Sequence, residues 1–122
     1  MIKGRVSDDW EPLVTVALRG ADGSIESIEC LVDTGFNGQI VLPAALIQRL
    51  KFPFHSVVTA EVGDGRRVNL PRYTARVLRG DAERPVMALA AEGGPAIGMR
   101  FLRRQHLSIE VQPAGRVTLA PL

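Results

Sequence analysis

The stretch Leu31-Val32-Asp33-Thr34-Gly35-Phe36-Asn37-Gly38 is the most informative part of the chain, because an apolar run leads directly into a carboxylate and two glycines. Asp is disfavoured in strands and costly to bury without partners, so Asp33 predicts a carboxylate held at a strand end for chemistry. Thr34 supplies a hydroxyl, while Gly35 and Gly38 allow backbone angles and close approaches that a Cβ would forbid. We therefore expect a preorganised loop.

A second motif, Ala96-Ile97-Gly98, lies downstream of this loop. Asp33-Thr34-Gly35 after an apolar strand resembles the active-site motif of aspartic proteases, and the longer Asp-Thr-Gly-Phe resembles a set of short prokaryotic retropepsin-like proteins. In that family a pair of apolar residues plus Gly precedes the short C-terminal helix, as it does at 96–98. The resemblance covers roughly Val14 to Leu119 in the order of elements. Residue by residue it rests on these two motifs and a glycine hairpin, Gly63-Asp64-Gly65.

The resemblance implies an all-β fold, namely a closed retropepsin-like (acid protease) β-barrel of half-pepsin size with one or two short helices, in a single domain spanning 1–122. It also implies an aspartic endopeptidase in which Asp33 is the catalytic acid or base, Thr34 braces two loops across a dimer, and Gly35 places an amide near the carboxylates. The implied substrate-binding residues are Phe36, Asn37 and Gly38 in the loop, Gly63, Asp64 and Gly65 in a hairpin that acts as a flap, and Ile97 and Gly98. No metal or other cofactor is expected.

Peptide hydrolysis by carboxylates requires two of them close together, one acting as base on water and the other, protonated, polarising the carbonyl. The chain has one Asp-Thr-Gly, and its other Asp residues, at positions 8, 9, 22, 64 and 81, lie in terminal or turn contexts. The second carboxylate is therefore expected from another copy, which predicts a two-fold homodimer acting on a peptide or protein substrate. The expected apolar lining of the cleft is Ile40, Leu42, Val62, Val68 and Ile97.

The composition is that of an ordinary globular domain: 122 residues, 46% hydrophobic and 23% charged, with eight Pro and twelve Gly that indicate many turns. The pI near 9.2 comes from Arg, but basic residues occur at most in adjacent pairs without aromatic neighbours, so we expect no nucleic-acid partner. The sequence shows no apolar signal segment and no membrane-length apolar run, and its single Cys is consistent with a reducing compartment. A cytoplasmic protein without a membrane partner is expected.

The apolar runs and turn residues predict mainly strands. Strands at 13–19 and 25–32 form a hairpin before the Asp33 loop, with a bulge or a strand break in the second because its acids interrupt the alternation. The later elements are a strand at 39–42, a helix at 44–50 opened by Pro43, strands at 57–62 and 68–78 around Gly63-Asp64-Gly65, a strand at 85–91, a helix at 99–105, and a hairpin of 107–111 with 116–119. Pro71 favours an edge or a mobile hairpin over a central strand.

Each motif also has a simpler interpretation. Asp33 can cap a turn through backbone amides, Ala96-Ile97-Gly98 can be core packing before a helix, and Gly63-Asp64-Gly65 can be only a hairpin. The alternative function, from a different class, is a non-catalytic dimerisation or peptide-binding module with the same fold.

Other chemistries have weaker support in the sequence. Gly93 to Gly98 has the spacing of a phosphate loop, but Met99-Arg100 replaces the Lys and Ser/Thr that would contact phosphate and metal. His55 and His106 lack metal-ligand spacing to each other or to Cys30. Cys30 lies inside a predicted strand with no base nearby in sequence, so we expect a buried thiol and not a nucleophile.

Overall fold

The computed structural model describes residues 1–61 and 63–122, most of which lie in strands. The strands are β1 (Ile2–Val6), β2 (Pro12–Arg19), β3 (Ile25–Val32), β4 (Ile40–Leu42), β5 (Phe54–Glu61), β6 (Arg67–Arg79), β7 (Ala82–Ala90), β8 (Ala96–Ile97), β9 (Gln105–Ile109) and β10 (Arg116–Pro121), and the helices are α1 (Ala44–Leu50) and α2 (Met99–Leu102). The prediction of a mostly β chain with one or two short helices is confirmed. In the described residues, no helix has the length and apolar character needed to cross a membrane.

Six strands form a closed ring. The hydrogen-bonded neighbours run β6-β7-β4-β8-β3-β2, and β2 returns to β6 through the pairs Ala17↔Leu78 and Leu18↔Val77. From β2 the sheet continues through β1 and β10 to β9, while β5 pairs with β6. Because the ring is closed, the turn after β3 and the strands β6 and β7 belong to one connected scaffold.

The core of the described residues contains no buried polar or charged side chain. Strand alternation produces this separation, since Val14, Val16 and Leu18 in β2 are buried while the residues between them are more exposed. Helix α1 adds three buried aliphatic residues to the same cluster. Each fully buried side chain of this kind contributes about 1.5–3 kcal/mol relative to leaving it exposed.

Helix α1 begins and ends where the sequence predicts. Pro43 is its N-cap with extended angles, φ −66° and ψ 145°, which the proline ring presets. Lys51 ends the helix with a left-handed φ of 56°, and its backbone N–H donates back to the carbonyl of Gln48.

The predicted bulge in β3 is wrong. Seven consecutive residue pairs join β2 to β3 without a register shift, from Leu13↔Leu31 to Arg19↔Ile25. Glu26 lies on the less exposed face of β3, where its Oε1 accepts a 2.6 Å hydrogen bond from Arg49 Nη2 of α1. The acid that breaks the apolar pattern is thus satisfied by a tertiary partner while the ladder stays regular.

Other elements also differ from the predicted ones, and β5, for example, begins at Phe54 and not at 57. Strand β1, which has no predicted counterpart, pairs with both β2 and β10. Strand β7 begins at Ala82 because Gly80, with a φ of 60°, permits a tight turn that pairs Arg79 with Ala82. Helix α2 is only four residues long, because Arg103 is extended and Arg104 has a φ of 59°, and β9 therefore starts earlier than predicted.

Candidate active site

The Asp33 loop, residues 33–39, is held by a strand inserted between its two ends. β8 is parallel to β3, with Val32↔Ile97, and antiparallel to β4, with Ile40↔Ile97. The backbone N–H of Asp33 donates to the carbonyl oxygen of Ile97 at 2.9 Å. The N–H of Gly98 donates to the carbonyl oxygen of Gln39 at 3.0 Å. Backbone hydrogen bonds therefore fix both ends of the loop against β8 and the residue that follows it.

The Asp33 carboxylate is oriented by its own loop. Its Oδ1 accepts a 3.0 Å hydrogen bond from the backbone N–H of Gly35, and the Asp33 carbonyl accepts one from the N–H of Phe36 at 3.1 Å. Asp33 is half-buried, whereas Thr34 and Gly35 are exposed. Within the described residues, neither Asp33 Oδ2 nor the Thr34 hydroxyl has a hydrogen-bond partner. The three predicted catalytic residues thus lie together, with these two oxygen atoms free to contact groups outside the chain.

The Phe36 ring packs inside the loop directly against Gly38 and Gly98. The contact is so close that a Cβ added at either glycine would overlap the ring. At Gly98 an added Cβ would also lie 2.5 Å from the carbonyl oxygens of both Gly38 and Phe36. Gly98 is buried and Phe36 is half-buried. The two glycines therefore make room for a bulky ring directly after the Asp-Thr-Gly motif.

The start of α2 joins the second motif to the Asp33 loop. The N–H of Met99 donates to the carbonyl oxygen of Phe36 at 2.8 Å, and the N–H of Arg100 donates to that of Gly38 at 3.1 Å. The side chain of Arg100 adds a third contact, from Nη1 to the carbonyl oxygen of Asn37 at 3.1 Å. The two motifs that lie some sixty residues apart in sequence form one hydrogen-bonded unit.

The hairpin of β5 and β6 extends past the end of β7. Pairing between β6 and β7 covers Arg72 to Arg79, so the segment 67–71 pairs with β5 alone. Pro71 lies in this two-stranded part, in agreement with its predicted hairpin position. One face of the hairpin is apolar and less exposed than the other, and it consists of the opposed pairs Val58↔Leu70 and Ala60↔Val68.

Gly63, Asp64 and Gly65 form the exposed turn of this hairpin. Asp64 closes the turn by accepting hydrogen bonds from Arg66, at 3.0 Å from the backbone N–H and at 2.6 Å from Nε. Gly65 has a φ of 84°, a left-handed angle that favours glycine. In the described part of the chain no hydrogen bond joins this turn to the Asp33 loop, so its role as a flap stays a prediction.

A cavity of about 600 Å³ lies between the Asp33 loop, the hairpin, β7 and α2. Its lining consists of Phe36, Gly38 and Gln39 from the loop, Val58 and Arg72 from the hairpin strands, Pro85, Met87 and Leu89 from β7, and Arg100 and Arg103 from α2 and its end. Asp33 does not line it. The cavity therefore borders the Asp33 loop, and the Asp33 carboxylate is not part of its lining.

Comparison with known proteins supplies a likeness of structure. No protein-family model matches the sequence, and no curated protein matches it. Among solved structures, a retropepsin-like aspartic protease from Rickettsia conorii matches with a TM-score of 0.57, covering 94% of this chain and 87% of that chain at 17% sequence identity. The fold is retropepsin-like. The match extends over nearly the whole chain.

The predicted apolar lining of the cleft is not what this retropepsin-like fold shows. The side chains of Ile40, Leu42 and Ile97 are all 0% exposed and belong to the core, so they cannot contact a substrate. Ile97 instead supports Asp33 through its carbonyl oxygen. Val68 lies on the apolar face of the hairpin, and Val62 lies outside the described residues.

Other predicted substrate-binding residues differ in what they expose. Asn37 is exposed, Phe36 and Gly38 are half-buried and line the cavity, and Gly98 is buried beneath Phe36. The Gly98 position supports the loop by leaving space for it. Contact of the loop residues with a substrate stays a prediction.

Several residues of the retropepsin-like fold that border the loop carry no motif signal in sequence. Gln39 Oε1 accepts a 2.6 Å hydrogen bond from the N–H of Met87, which joins the loop to β7. Arg72 of β6 meets Arg100 of α2 and Arg103 at the end of α2 in the lining of the cavity, although Arg72 lies far from the other two in sequence. Closure of the ring brings them together, and local sequence pattern does not report that closure.

Cys30 precedes the loop in β3 and is fully buried, as predicted. Burial raises the pKa of its thiol to about 12, so the thiol stays protonated near neutral pH. In the described residues, no group of three or more His, Cys, Asp or Glu side chains is placed to hold a metal ion.

Proposed function

We propose that the chain is an aspartic endopeptidase that works as a homodimer, with one Asp33 from each copy forming the catalytic pair. One observation carries this proposal: in a retropepsin-like fold, Asp33-Thr34-Gly35 stands at the end of β3 with its carboxylate held by a backbone amide. An acid that only capped a turn would have no need of a second motif bonded to its loop. The hydrogen bonds that Gly98, Met99 and Arg100 donate to that loop favour a site in which the position of the Asp33 carboxylate matters.

The need for a second copy follows from the acids of the chain. Asp22 and Asp64 accept hydrogen bonds within their own turns, and Asp8, Asp9 and Asp81 are exposed. In the described residues, none of them is hydrogen-bonded to the Asp33 loop. The pair that activates water requires two carboxylates. A two-fold axis beside Asp33 supplies the second one from the same residue of the other copy, so the sequence needs only one such Asp.

Thr34 supports the same arrangement. It is exposed, although its backbone lies between two residues whose positions are fixed by hydrogen bonds. Its hydroxyl is able both to donate and to accept a hydrogen bond. In a symmetric dimer the two Thr34 side chains would contact the opposite loops and hold the two carboxylates in register.

In the proposed reaction, the pair of Asp33 carboxyl groups shares one proton, because two like charges that close do not both ionise. The ionised member takes a proton from water as the water oxygen bonds to the carbonyl carbon of the peptide, and the protonated member donates its proton to the carbonyl oxygen. The tetrahedral intermediate then returns a proton to the pair as the carbonyl reforms, the C–N bond breaks, and the pair donates a proton to the leaving nitrogen. The Gly35 amide keeps Asp33 Oδ1 in position throughout. The substrate lies extended between this pair and the apolar face of the β5–β6 hairpin.

The direct test is a digest of an unbiased peptide library from acid to neutral pH, analysed by mass spectrometry. Wild type is expected to produce fragments, and Asp33→Asn to produce none. Asp81→Asn is the matched control, since Asp81 lies in the exposed turn between β6 and β7, and it should match wild type. Equal products from wild type and Asp33→Asn would contradict catalysis and leave the peptide-binding module as the function.

The dimer has its own test, in which wild type and Asp33→Asn are mixed in equal amounts and allowed to exchange subunits. Random pairing leaves about a quarter of the dimers with two intact carboxylates, so activity should fall to about a quarter of that of wild type at the same total concentration. If each chain works alone, the activity should be about half. Sedimentation that shows only the 13.2 kDa monomer under the assay conditions would also contradict the dimer.

A further inference from the structure

The cavity beside the Asp33 loop combines apolar walls with three arginines. Arg72 is half-buried, while Arg100 and Arg103 are exposed at its rim. None of the described residues that line this cavity is acidic. The lining therefore presents positive charge next to Phe36, Met87 and other apolar side chains, and this combination suits a ligand that is both anionic and partly apolar.

These three arginines also differ from most others in the chain. Six arginines form ion pairs with carboxylates within the described residues, namely Arg5, Arg19, Arg49, Arg66, Arg76 and Arg116. Arg72, Arg100 and Arg103 form none of these pairs. Arg72 Nε donates to Ser56 Oγ at 3.0 Å, and Arg100 Nη1 to the Asn37 carbonyl at 3.1 Å. A guanidinium has five N–H donors, so most of the donors of these two side chains are unused in the described residues.

The position of the cavity links it to the proposed peptide path. Phe36 and Gly38 belong to the Asp33 loop, and Val58 belongs to the apolar face of the hairpin. A peptide that lies extended between that face and the loop presents alternate side chains to opposite sides. One of these side chains would point towards the cavity.

We propose that the cavity is a specificity site for an acidic side chain, Asp or Glu, of the peptide substrate, with Arg72 and Arg103 as its charged partners. This inference rests on the proposed function, because it assigns a substrate preference to the same site. The carboxylate would accept hydrogen bonds from the guanidinium groups, and its methylene groups would pack on Phe36 and Met87. Arg100 contributes charge, but it also holds the Asn37 carbonyl and is therefore a positioning residue for the loop.

The test measures binding rather than cleavage, so that it does not depend on catalysis. The probes are fluorescent eight-residue peptides of Ala and Val that carry a single Glu, or a single Gln, at each position in turn. They are titrated against Asp33→Asn protein, which leaves the peptides intact. At one or two positions Glu is expected to bind about tenfold more tightly than Gln, or about 1.4 kcal/mol. Raising the salt concentration should reduce this preference, because partly exposed charges are screened.

Variants then assign the preference to the cavity. The double variant Arg72→Gln/Arg103→Gln should bind Glu and Gln peptides with equal affinity. The single variant Arg103→Gln should reduce the preference for Glu without abolishing it. Arg84→Gln is the matched control, since Arg84 is exposed on β7 and does not line the cavity, and it should retain the full preference. Circular dichroism checks that each variant is folded, and the exposed Arg103 alone gives a readout if the double variant is not.

Three outcomes would overturn the inference: equal affinity for Glu and Gln at every position, no binding of either peptide set, or a preference that survives removal of both arginines. Failure of the proposed function looks different, since it appears as cleavage by Asp33→Asn or as no cleavage by wild type. A Glu preference in the binding assay without cleavage would keep the acidic site and favour the peptide-binding module.

Discussion

Gly98 provides the sharpest test of how the Asp33 loop is supported. Its backbone angles, φ −113° and ψ −173°, are extended and open to any residue, so Ala meets no conformational strain there. The obstacle is contact, because a Cβ would lie 2.5 Å from the carbonyl oxygens of Gly38 and Phe36 and would overlap the Phe36 ring. Two of these obstacles are backbone atoms, which cannot move aside by changing rotamer. Gly98→Ala must therefore displace the loop or the start of α2.

The expected cost of Gly98→Ala is that of overpacking, about 1–3 kcal/mol in the free energy of unfolding. With a denaturant slope of about 2 kcal/mol per molar urea, the unfolding midpoint should fall by about 1 M. Gly63→Ala is the matched control, because among the described residues a Cβ at Gly63 meets nothing within 4 Å. Its midpoint should stay the same or rise slightly. Both variants are measured at one protein concentration, since association would shift the midpoints.

Equal midpoints for Gly98→Ala and Gly63→Ala would refute the packing of the loop described above. A loss in both variants would refute it as well, because the turn at Gly63 would then be as crowded as the site of Gly98. The expected result is a loss at position 98 alone, accompanied by weaker catalysis or peptide binding as the loop shifts.

Two further measurements probe groups away from the loop. Burial raises the pKa of the Cys30 thiol to about 12, so Cys30 should resist iodoacetamide at pH 8 in the folded protein and react fully in urea. Rapid labelling of the folded protein would instead show that β3 opens readily. The side-chain hydrogen bonds from Arg116 lower the pKa of Glu110 from 4.5 to about 2, so this pair stabilises the fold above pH 4.5 and loses that contribution as the pH falls towards 2. The thermal unfolding midpoint should therefore fall less steeply between pH 6 and pH 2 in Glu110→Gln than in wild type. Parallel falls in the two proteins would contradict the assignment of the lowered Glu110 pKa to Arg116.

Much of the fold could be predicted from local sequence. Pro43 marks the start of α1, the Gly63-Asp64-Gly65 turn separates β5 from β6, and the apolar runs mark the strands of the β2–β3 hairpin. These signals are local, since proline and glycine restrict or permit particular backbone angles wherever they occur. The Asp33 loop was recognisable from its apolar strand, carboxylate and glycines, whereas the second motif was recognisable only through the resemblance to retropepsin-like proteins.

The incorrect predictions share a cause, because each of these residues is positioned by a partner that is distant in sequence and adjacent only in the fold. Glu26 suggested a break in β3 because its partner, Arg49, is on α1 and distant in sequence. Strand β1 shows a short alternation that becomes a strand only between β2 and β10. Ile97 looked like a wall of the cleft because an apolar residue beside a catalytic motif can face either way. The register of β8 between β3 and β4 directs the Ile97 side chain into the core.

The structure also separates what fixes the candidate site from what gives it chemistry. The Asp33 loop is held mainly by backbone atoms: carbonyl oxygens of Ile97 and Gln39, and amides of Gly35, Gly98 and Met99. Backbone hydrogen bonds place no demand on side-chain identity except where a Cβ would intrude, as at Gly98. Arg72 and Arg103 of the cavity are therefore free to differ without moving Asp33, whereas the side chains of Arg100 and Gln39 also hold the loop. Under the proposed function, a scaffold of this kind would keep one carboxylate geometry while its neighbouring side chains set which peptides it accepts.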